Sequence, residues 1–274
     1  MTTYIAAYDV EGEGCLDALR KILPLHERFE IPVTLFIVAR LLDEQGDEYR
    51  ELLSGRPLVE VASHSYTHMV LRDHPVCGQA GPPEQYEREL VGSKQRLEEH
   101  FGRPVVGFRA ACSFEDGLAG APDLLRLCDA AGYRYVSTLA WAPGTTLPAL
   151  IREPFTYADD GHPGLWEVPP CGWHDNVLKE HNSPHNPLDW QIVPHPYPET
   201  KIDGYVETPA EEAELDRKLI DRAIQMGASH SSLIWHPWSL DRFDPEMRML
   251  ELVLAHIRER GLPCSTFADY VDTL

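Results

Sequence analysis

The chain has 274 residues, 43% hydrophobic and 25% charged, which is typical of a soluble globular protein long enough to bury a full core. Its formal net charge of −20 at pH 7 argues against nucleic acid or an anionic membrane surface as a partner, because both would repel it. No apolar run approaches the ~20 residues that span a bilayer, and the N-terminus lacks the basic segment of a signal peptide. A cytoplasmic location is therefore expected.

The cysteines are scattered along the chain without a C-x-x-C pair. They are Cys15, Cys77, Cys112, Cys128, Cys171 and Cys264. In a chain of this size the pattern predicts free thiols in a reducing compartment.

Predicted strands and helices alternate from the start of the chain. The first half contains a strand at Thr3–Tyr8, a helix at Leu16–Phe29 with a kink at Pro24, strands at Pro32–Val38 and Val59–Ala62, and a helix at Pro83–Phe101. The second half contains a strand at Val105–Phe108, a helix at Asp123–Ala131, strands at Tyr133–Thr138 and Leu165–Val168, a helix at Glu211–Met226, a strand at Ser232–Trp235 and a helix at Pro245–Arg260. This alternation predicts right-handed βαβ units around a parallel sheet, and about seven repeats favour a closed barrel within one domain.

One segment, residues 171–209, breaks the pattern. It is rich in Pro, His, Asn and Trp and shows no periodicity. An irregular segment of this length is typical of a lid or an interface. Its aromatic residues are candidates for substrate walls or for a subunit contact: Trp173, His174, Trp190, Tyr197 and Tyr205.

Ionisable residues follow the predicted strands. They are Asp9 and Glu11 after the first strand, His64 and His68 after the third, Arg109 after the fourth, Glu167 near the sixth and His236 after the last. In α/β barrels the active site lies at the carboxyl ends of the strands, so these side chains are expected to converge. Two histidines with one carboxylate form a common open metal site.

Each residue also has an ordinary structural interpretation. The carboxylates could be solvated, the histidines could be hydrogen-bonded loop residues, and Arg109 could be a surface arginine. A second pair with the same spacing, His181 and His185, encloses Pro184 and follows no strand, so we do not propose it as a ligand pair. The shared location at strand ends is what favours a functional site.

Four segments that contain most of these ionisable residues occur along the chain in this order: Y-D-V-E-G-E, V-E-V-A-S-H-S-Y-T-H, G-F-R-A-A and S-L-I-W-H-P-W. Together with P-V-T-L-F-I-V and S-T-F-A-D-Y, they resemble the motifs of the polysaccharide deacetylase superfamily (NodB homology, carbohydrate esterase family 4). The resemblance runs from about Tyr4 to Tyr270. The D-x-E spacing and the lack of a signal peptide bring the chain closer to the intracellular D-x-D and allantoinase-like branch.

The resemblance implies a distorted (β/α)7 barrel that hydrolyses an N-acyl bond with a divalent metal, most often Zn²⁺, with Fe, Mn or Co as other choices. It further implies a homo-oligomer, for which residues 171–209 are the natural contact. By the same resemblance, Asp9 would be the general base oriented by Arg109, and His236 would be the general acid. The implied metal ligands are Glu11, His64 and His68. The expected substrate-binding residues are Cys112, through its backbone N–H, and Trp141, Glu167, Trp173 and Trp238.

Three residues depart from the family pattern. Glu11 stands where an aspartate usually binds the metal, so either the backbone adjusts, Glu13 substitutes, or the metal is weak or absent. Ala111 replaces the proline of the R-x-P motif. Val136 replaces the aspartate that usually tunes the catalytic histidine, and Glu167 is the acid expected to take over.

These observations leave three hypotheses. The leading one is a metal-dependent deacetylase or amidohydrolase that cleaves a non-peptide C–N bond in an N-acyl carbohydrate or a related small amide. The second is a metal-independent, allantoinase-like amidohydrolase, which the departure at Glu11 favours. The third is a non-catalytic carbohydrate-binding barrel, which the losses at Ala111 and Val136 favour.

Overall fold

Strands and helices alternate along the chain in a computed structural model that describes residues 1–182 and 186–274. The strands are β1 (Thr3–Val10), β2 (Val33–Ile37), β3 (Val59–Ser63), β4 (Gly107–Phe114), β5 (Tyr135–Leu139), β6 (Phe155–Tyr157), β7 (His162–Glu167), β8 (His230–Ser231) and β9 (Cys264–Ser265). The α-helices are α1 (Cys15–Phe29), α2 (Leu42–Leu53), α3 (Ser93–Phe101), α4 (Pro122–Ala130), α5 (Pro209–Met226), α6 (Pro237–Phe243), α7 (Arg248–Glu259) and α8 (Phe267–Val271). None of these described helices is long and apolar enough to cross a membrane.

A mostly parallel sheet forms the centre of the fold. Its order is β6-β7-β5-β4-β3-β2-β1-β8, and β9 also pairs with β1. The pairing of β6 with β7 is antiparallel, whereas β1 pairs with β2, and β2 with β3, in parallel. Every residue of β2 is buried, as expected for a parallel strand covered on both faces. The predicted single-domain α/β fold is confirmed.

Isolated bridges extend the pairing beside β1, beyond the regular sheet. Beyond β7, His174 bridges Ile234 in parallel, and Trp235 bridges Tyr8 of β1 in the same way. The predicted strand at Ser232–Trp235 is therefore mostly a bridging segment, because regular pairing ends with β8. Among the described residues none of these single bridges reaches β6 or β7, so the sheet stays open on that side.

Several short elements have no clear sequence signal. Helix α2 is interrupted by the non-helical conformation of Gln45, and α6 and β6 contain only 7 and 3 residues. Such lengths show too few repeats to reveal a period. The long helix expected at Pro83–Phe101 is also divided, because a π-turn at Arg88–Gly92 precedes α3.

Cys77 and Cys112 form a disulfide, so the prediction that all cysteines are free thiols is wrong for this pair. They are 35 positions apart in sequence, and their Cα atoms lie 6.5 Å apart. A bridge between His74 and Gly78 shapes the turn that presents Cys77 to β4, and no local motif reports such a contact. The remaining cysteines are free thiols: Cys15, Cys128, Cys171 and Cys264.

Cys77→Ser is expected to lower the free energy of unfolding by about 2–4 kcal/mol, because the cross-link restricts the unfolded chain. Urea unfolding without reductant, followed by tryptophan fluorescence, measures the change. Cys264→Ser, which replaces a partly buried free thiol, is the matched control. With excess dithiothreitol the wild type and Cys77→Ser should converge. A gap that persists under reduction would show that the disulfide is not its source.

Candidate active site

A cavity of about 290 Å³ opens where the carboxyl ends of β1, β3 and β4 meet the segment that enters α6. All but Glu167 of the ionisable residues predicted from the strand ends line it together: Asp9, Glu11, His64, His68, Arg109 and His236. Residues from distant parts of the chain thus share one concave surface, which is the usual setting for a catalytic or binding site.

His64 is buried, and its two ring nitrogens have different surroundings. Nδ1 lies 3.0 Å from the backbone carbonyl oxygen of Arg109, which can only accept, so Nδ1 carries the proton of the neutral ring. Nε2 lies 3.7 Å from the Glu11 carboxylate and has no hydrogen-bond partner among the described residues. A buried nitrogen with a free lone pair, fixed by a bond at the other nitrogen, is what a metal ligand requires.

The turn that carries the second histidine is held by a buried carboxylate. Glu89 accepts hydrogen bonds from the backbone N–H groups of Tyr66 (3.0 Å) and Thr67 (2.8 Å) and from the Thr67 hydroxyl (2.8 Å). The N–H of His68 donates to the Ser65 hydroxyl at 3.0 Å. Ser65 and His68 adopt left-handed φ angles of 65° and 66°, which are costly for residues other than glycine. The hydrogen bonds stabilise a backbone shape that the chain would otherwise avoid.

Glu11 completes the cluster in place of the usual aspartate. Its carboxylate lies 2.9 Å from His68 Nε2, and the Trp238 indole N–H donates to it at 2.9 Å. Glu13 is exposed and lies outside the cluster. Burial opposes the charge on Glu11, but the neighbouring imidazoles outweigh it and hold its pKa well below the ordinary value. The longer side chain therefore reaches the position, and Trp238 orients it.

The residues Glu11, His64 and His68 fit a divalent cation. One potential ligand atom from each lies within 4.8 Å of the others. Two imidazole nitrogens and a carboxylate match the donor sets of open Zn²⁺ and Fe²⁺ sites. The buried Nε2 of His64 supports the fit, because it has no hydrogen-bond partner among the described residues and lies 3.7 Å from the Glu11 carboxylate.

Asp9 lies beside the cluster and pairs with Arg109. Arg109 Nε donates to the Asp9 carboxylate at 2.8 Å, and its Nη1 donates to the Ser137 hydroxyl at 3.1 Å. Burial favours the neutral form of Asp9, but Arg109, followed by the nearby histidines, outweighs it and lowers the pKa. Asp9 is thus ionised at neutral pH and held in one orientation, as a general base must be.

His236 Nε2 lies 3.9 Å from the carboxylates of both Asp9 and Glu11. Its Nδ1 lies 2.6 Å from Asp175, and its backbone N–H also donates to that carboxylate at 3.1 Å. Burial on its own would lower the pKa of His236, but Glu11, Asp175 and Asp9 outweigh it and raise the pKa to about 9. At neutral pH the ring is protonated at both nitrogens and can give up the Nε2 proton.

Asp175 is a site residue that the sequence patterns did not reveal. Burial opposes its charge, but Lys179 and His236 outweigh it and lower the pKa of Asp175 to about 2. Its only sequence signal is an acidic residue soon after β7, at the start of residues 171–209. Nothing local links it to a histidine 61 positions later.

Glu167 does not reach the cavity. Its carboxylate accepts hydrogen bonds from the backbone N–H groups of Thr138 (2.7 Å) and Leu139 (3.0 Å), and from the hydroxyls of Thr138 (2.6 Å) and Tyr157 (2.6 Å). The expectation that Glu167 tunes His236 is therefore wrong, because these partners engage both of its oxygens. Glu167 also lies away from the residues that line the cavity, so it does not fit the expected role in substrate binding.

The cavity wall comes from β4, the end of β5 and the irregular segment 171–209. Cys112 and Trp141 line it as expected, and the Trp141 indole N–H donates to the Cys112 carbonyl at 2.8 Å. His174 and Trp190 also line it. Trp173 does not: it is buried and donates to a backbone carbonyl at 3.3 Å.

The other residues singled out in this segment lie elsewhere. The Tyr197 hydroxyl is buried and accepts the N–H of Ile151 at 2.8 Å, while Tyr205 lines a separate surface groove. His181 is outside the cavity, and His185 lies outside the described residues.

Comparisons with known proteins give the family context. Residues 12–136 match the family model described as polysaccharide deacetylase. A putative polysaccharide deacetylase from Mycobacterium smegmatis has a similar structure, with a TM-score of 0.67, 20% identity, and coverage of 99% of this chain and 90% of that one. For Puue allantoinase the TM-score is 0.68, with 14% identity and coverage of 99% and 89%. For a probable polysaccharide deacetylase from Pseudomonas aeruginosa PAO1 the TM-score is 0.65 and the identity 14%. The match covers 99% of this chain and 90% of that one.

A search of curated proteins found no match. At the identities above, the structural matches show the fold alone, and they extend along almost the whole chain. The family match contains His64, His68 and Arg109. The resemblance to the polysaccharide deacetylase family that the motifs predict is therefore confirmed.

Proposed function

We propose that this protein is a metal-dependent hydrolase of a non-peptide C–N bond, an N-deacetylase acting on an N-acyl carbohydrate or a related small amide. One observation carries the proposal. His236 Nε2 lies 3.9 Å from the Asp9 carboxylate, in the same cavity as the cluster of Glu11, His64 and His68. Amide hydrolysis needs a base for water, an acid for the leaving amine and stabilisation of an oxyanion.

Asp9 acts as the base. Arg109 engages its carboxylate and keeps it ionised, so it can accept a proton from the attacking water. Glu11, His64 and His68 would hold a divalent cation, which polarises an acyl carbonyl and lowers the pKa of water. The backbone N–H of Cys112, at a residue with a φ of 63° near the end of β4, is the proposed oxyanion donor.

His236 acts as the acid. It transfers its Nε2 proton to the amine nitrogen, so the C–N bond breaks and the amine leaves as a neutral molecule. Asp175 accepts the Nδ1–H bond at 2.6 Å and fixes Nε2 as the donating atom. Asp9 thus removes a proton from the attacking water, and His236 delivers a proton to the leaving amine.

The cavity suggests the size and charge of the substrate. A volume of about 290 Å³ suits a single ring or a small amide, and Trp141 and Trp190 offer aromatic surfaces to a sugar ring. The net charge of −20 disfavours polyanions such as nucleic acid. We further propose a homo-oligomer with residues 171–209 at the contact, whereas the Cys77–Cys112 disulfide removes the free-thiol argument for a cytoplasmic location.

Metal analysis is the first test. Protein purified without chelator or nickel resin is expected to contain about one equivalent of Zn, Fe, Mn or Co by mass spectrometry, and His68→Ala is expected to lose it. Amine release from N-acetylglucosamine and N,N′-diacetylchitobiose is measured on the same samples and should fall with the metal. His162→Ala is the matched control, since His162 pairs with Asp129 at 3.0 Å away from the cavity.

Each alternative has its own result. A wild type that binds no cation even in excess Zn²⁺, yet opens the ring of allantoin, would replace the proposal with a metal-independent amidohydrolase. A protein that binds a cation and a sugar without releasing amine would instead be a non-catalytic carbohydrate-binding barrel.

A further inference from the structure

A chain of buried charges continues from His236 into the interior. Asp175 Oδ1 contacts the imidazole, and Asp175 Oδ2 lies 3.1 Å from Lys179 Nζ. Lys179 Nζ lies 2.7 Å from Glu212. The side-chain exposure is 2% for Asp175 and 1% for both Lys179 and Glu212. None of the proton transfers described above involves Lys179 or Glu212.

Three parts of the fold enclose the ammonium group. Asp175 begins a 3-10 turn after β7, with Lys179 four positions later, and Glu212 lies in the first turn of α5. Lys179 Nζ also lies 3.3 Å from the Ser239 hydroxyl and 5.4 Å from the centre of the Phe243 ring, both in α6. Its charge is therefore placed on the side of Asp175 that does not face His236.

A buried lysine is costly unless it is well paired. Burial opposes the charge on Lys179, but Asp175 and Glu212 outweigh it and keep its pKa above the ordinary value. An apolar side chain of similar volume would fill this space without the desolvation cost. Packing alone therefore does not require a charge at this position, and a separate task can account for it.

The task follows from the charge of His236 during the proposed reaction. While the ring is an imidazolium, it neutralises Asp175; once the Nε2 proton has left, Asp175 faces a neutral ring. A buried carboxylate without a neighbouring cation would then favour the protonated form and draw the proton from Nδ1. The ammonium of Lys179 keeps Asp175 ionised at this stage, so the carboxylate remains an acceptor.

We propose that Lys179, held by Glu212, is a positioning residue that acts through Asp175 to retain the His236 proton at Nδ1 and reserve Nε2 for exchange with the leaving amine. The inference rests on the proposed role of His236 as the general acid.

The test compares Lys179→Met with the double variant Lys179→Met/Glu212→Leu. The single variant leaves Glu212 buried without a cation and is expected to be less stable, whereas the double variant removes both ionisable side chains and should recover stability. In both, kcat for N,N′-diacetylchitobiose is expected to fall about tenfold or more, with KM within about twofold, since only the proton transfer is impaired. Lys94→Met is the matched control, because Lys94 is a partly buried lysine paired with Glu98 at 2.7 Å.

A second substrate isolates the affected step. The leaving group of 4-nitrophenyl acetate departs without a proton from the enzyme, so the ratio of amide to ester kcat is expected to fall in both variants. If Lys179 serves packing alone, kcat and the ratio will return to wild-type values once the double variant restores stability, and the proposal will be overturned.

A measurement of the His236 tautomer needs no enzymatic turnover, so it distinguishes a failure of this inference from a failure of the proposed function. Side-chain ¹⁵N–¹H NMR at a pH above the His236 pKa of about 9, with His236 assigned by difference from His236→Gln, shows which nitrogen carries the proton of the neutral ring. The wild type is expected to be protonated at Nδ1, and the double variant to show a mixture of tautomers. An unchanged tautomer would overturn the role of Lys179. A wild type that hydrolyses neither probe would refute the proposed function, and the NMR result would still decide whether Lys179 positions His236.

Discussion

Asp9→Asn is expected to lower kcat for N-acetyl hydrolysis by about 10²- to 10⁴-fold, the range typical of a lost general base. The amide retains the shape of the carboxylate and can still accept the hydrogen bond that Arg109 Nε donates at 2.8 Å. It cannot take a proton from water. Amine release with N,N′-diacetylchitobiose over a range of concentrations gives kcat and KM separately, and the loss should lie in kcat.

Three controls make this result specific. Metal content should be unchanged, because the proposed ligands are Glu11, His64 and His68. Circular dichroism at the assay temperature checks that the variant is folded, since Arg109 loses a buried counter-charge. Ser137→Ala removes the hydrogen bond that Arg109 Nη1 donates to the Ser137 hydroxyl and should cause a much smaller loss. If Asp9→Asn retains more than about a tenth of wild-type kcat, Asp9 is not the base.

The second large effect is expected for Asp175→Asn, which should move the alkaline limit of activity to lower pH. The acid form of His236 is the active one, so kcat/KM falls as pH rises through its pKa of about 9. Asp175 is one of the carboxylates that raise this pKa, and replacing it with a neutral amide lowers the pKa. At neutral pH, kcat should also fall by about 10- to 100-fold, because the acid is less well oriented.

The pH profile is best interpreted as a difference between wild type and variant. A cation bound at Glu11 would offset the contribution of that carboxylate in both proteins, so the displacement between the two profiles isolates Asp175. Glu167→Gln is the matched control: it also neutralises a buried carboxylate, but one outside the cavity. The same alkaline limit in Asp175→Asn and wild type would show that Asp175 does not tune the acid.

The polar residues at the strand ends could be predicted because the topology itself brings them together. In a parallel sheet the carboxyl ends of neighbouring strands share one edge, so Asp9 and His64 had to be neighbours once β1, β2 and β3 were recognised. Their motifs then suggested a role for each side chain. The outline of the site follows from strand order and residue type.

The contacts that hold the site residues in place could not be predicted in this way. Asp175 comes from an irregular segment, and its pairing with His236 depends on how that segment crosses between β7 and β8. Whether the Glu11 carboxylate reaches the two histidines depends on the backbone path after β1 and on the hydrogen bond from the Trp238 indole. The Cys77–Cys112 pairing likewise depends on a turn whose position no periodicity encodes.

Arg109 serves the site through two chemically separate groups. Its backbone carbonyl accepts from His64 Nδ1, and its guanidinium holds Asp9. A substitution at this position changes only the guanidinium, since every amino acid supplies the carbonyl. In evolutionary terms, a lineage that loses the arginine side chain loses the oriented base but keeps the histidine tautomer that suits a metal. Under the proposed function, hydrolysis can therefore disappear before metal binding does, which places a metal-binding barrel without turnover one mutational step from an active hydrolase.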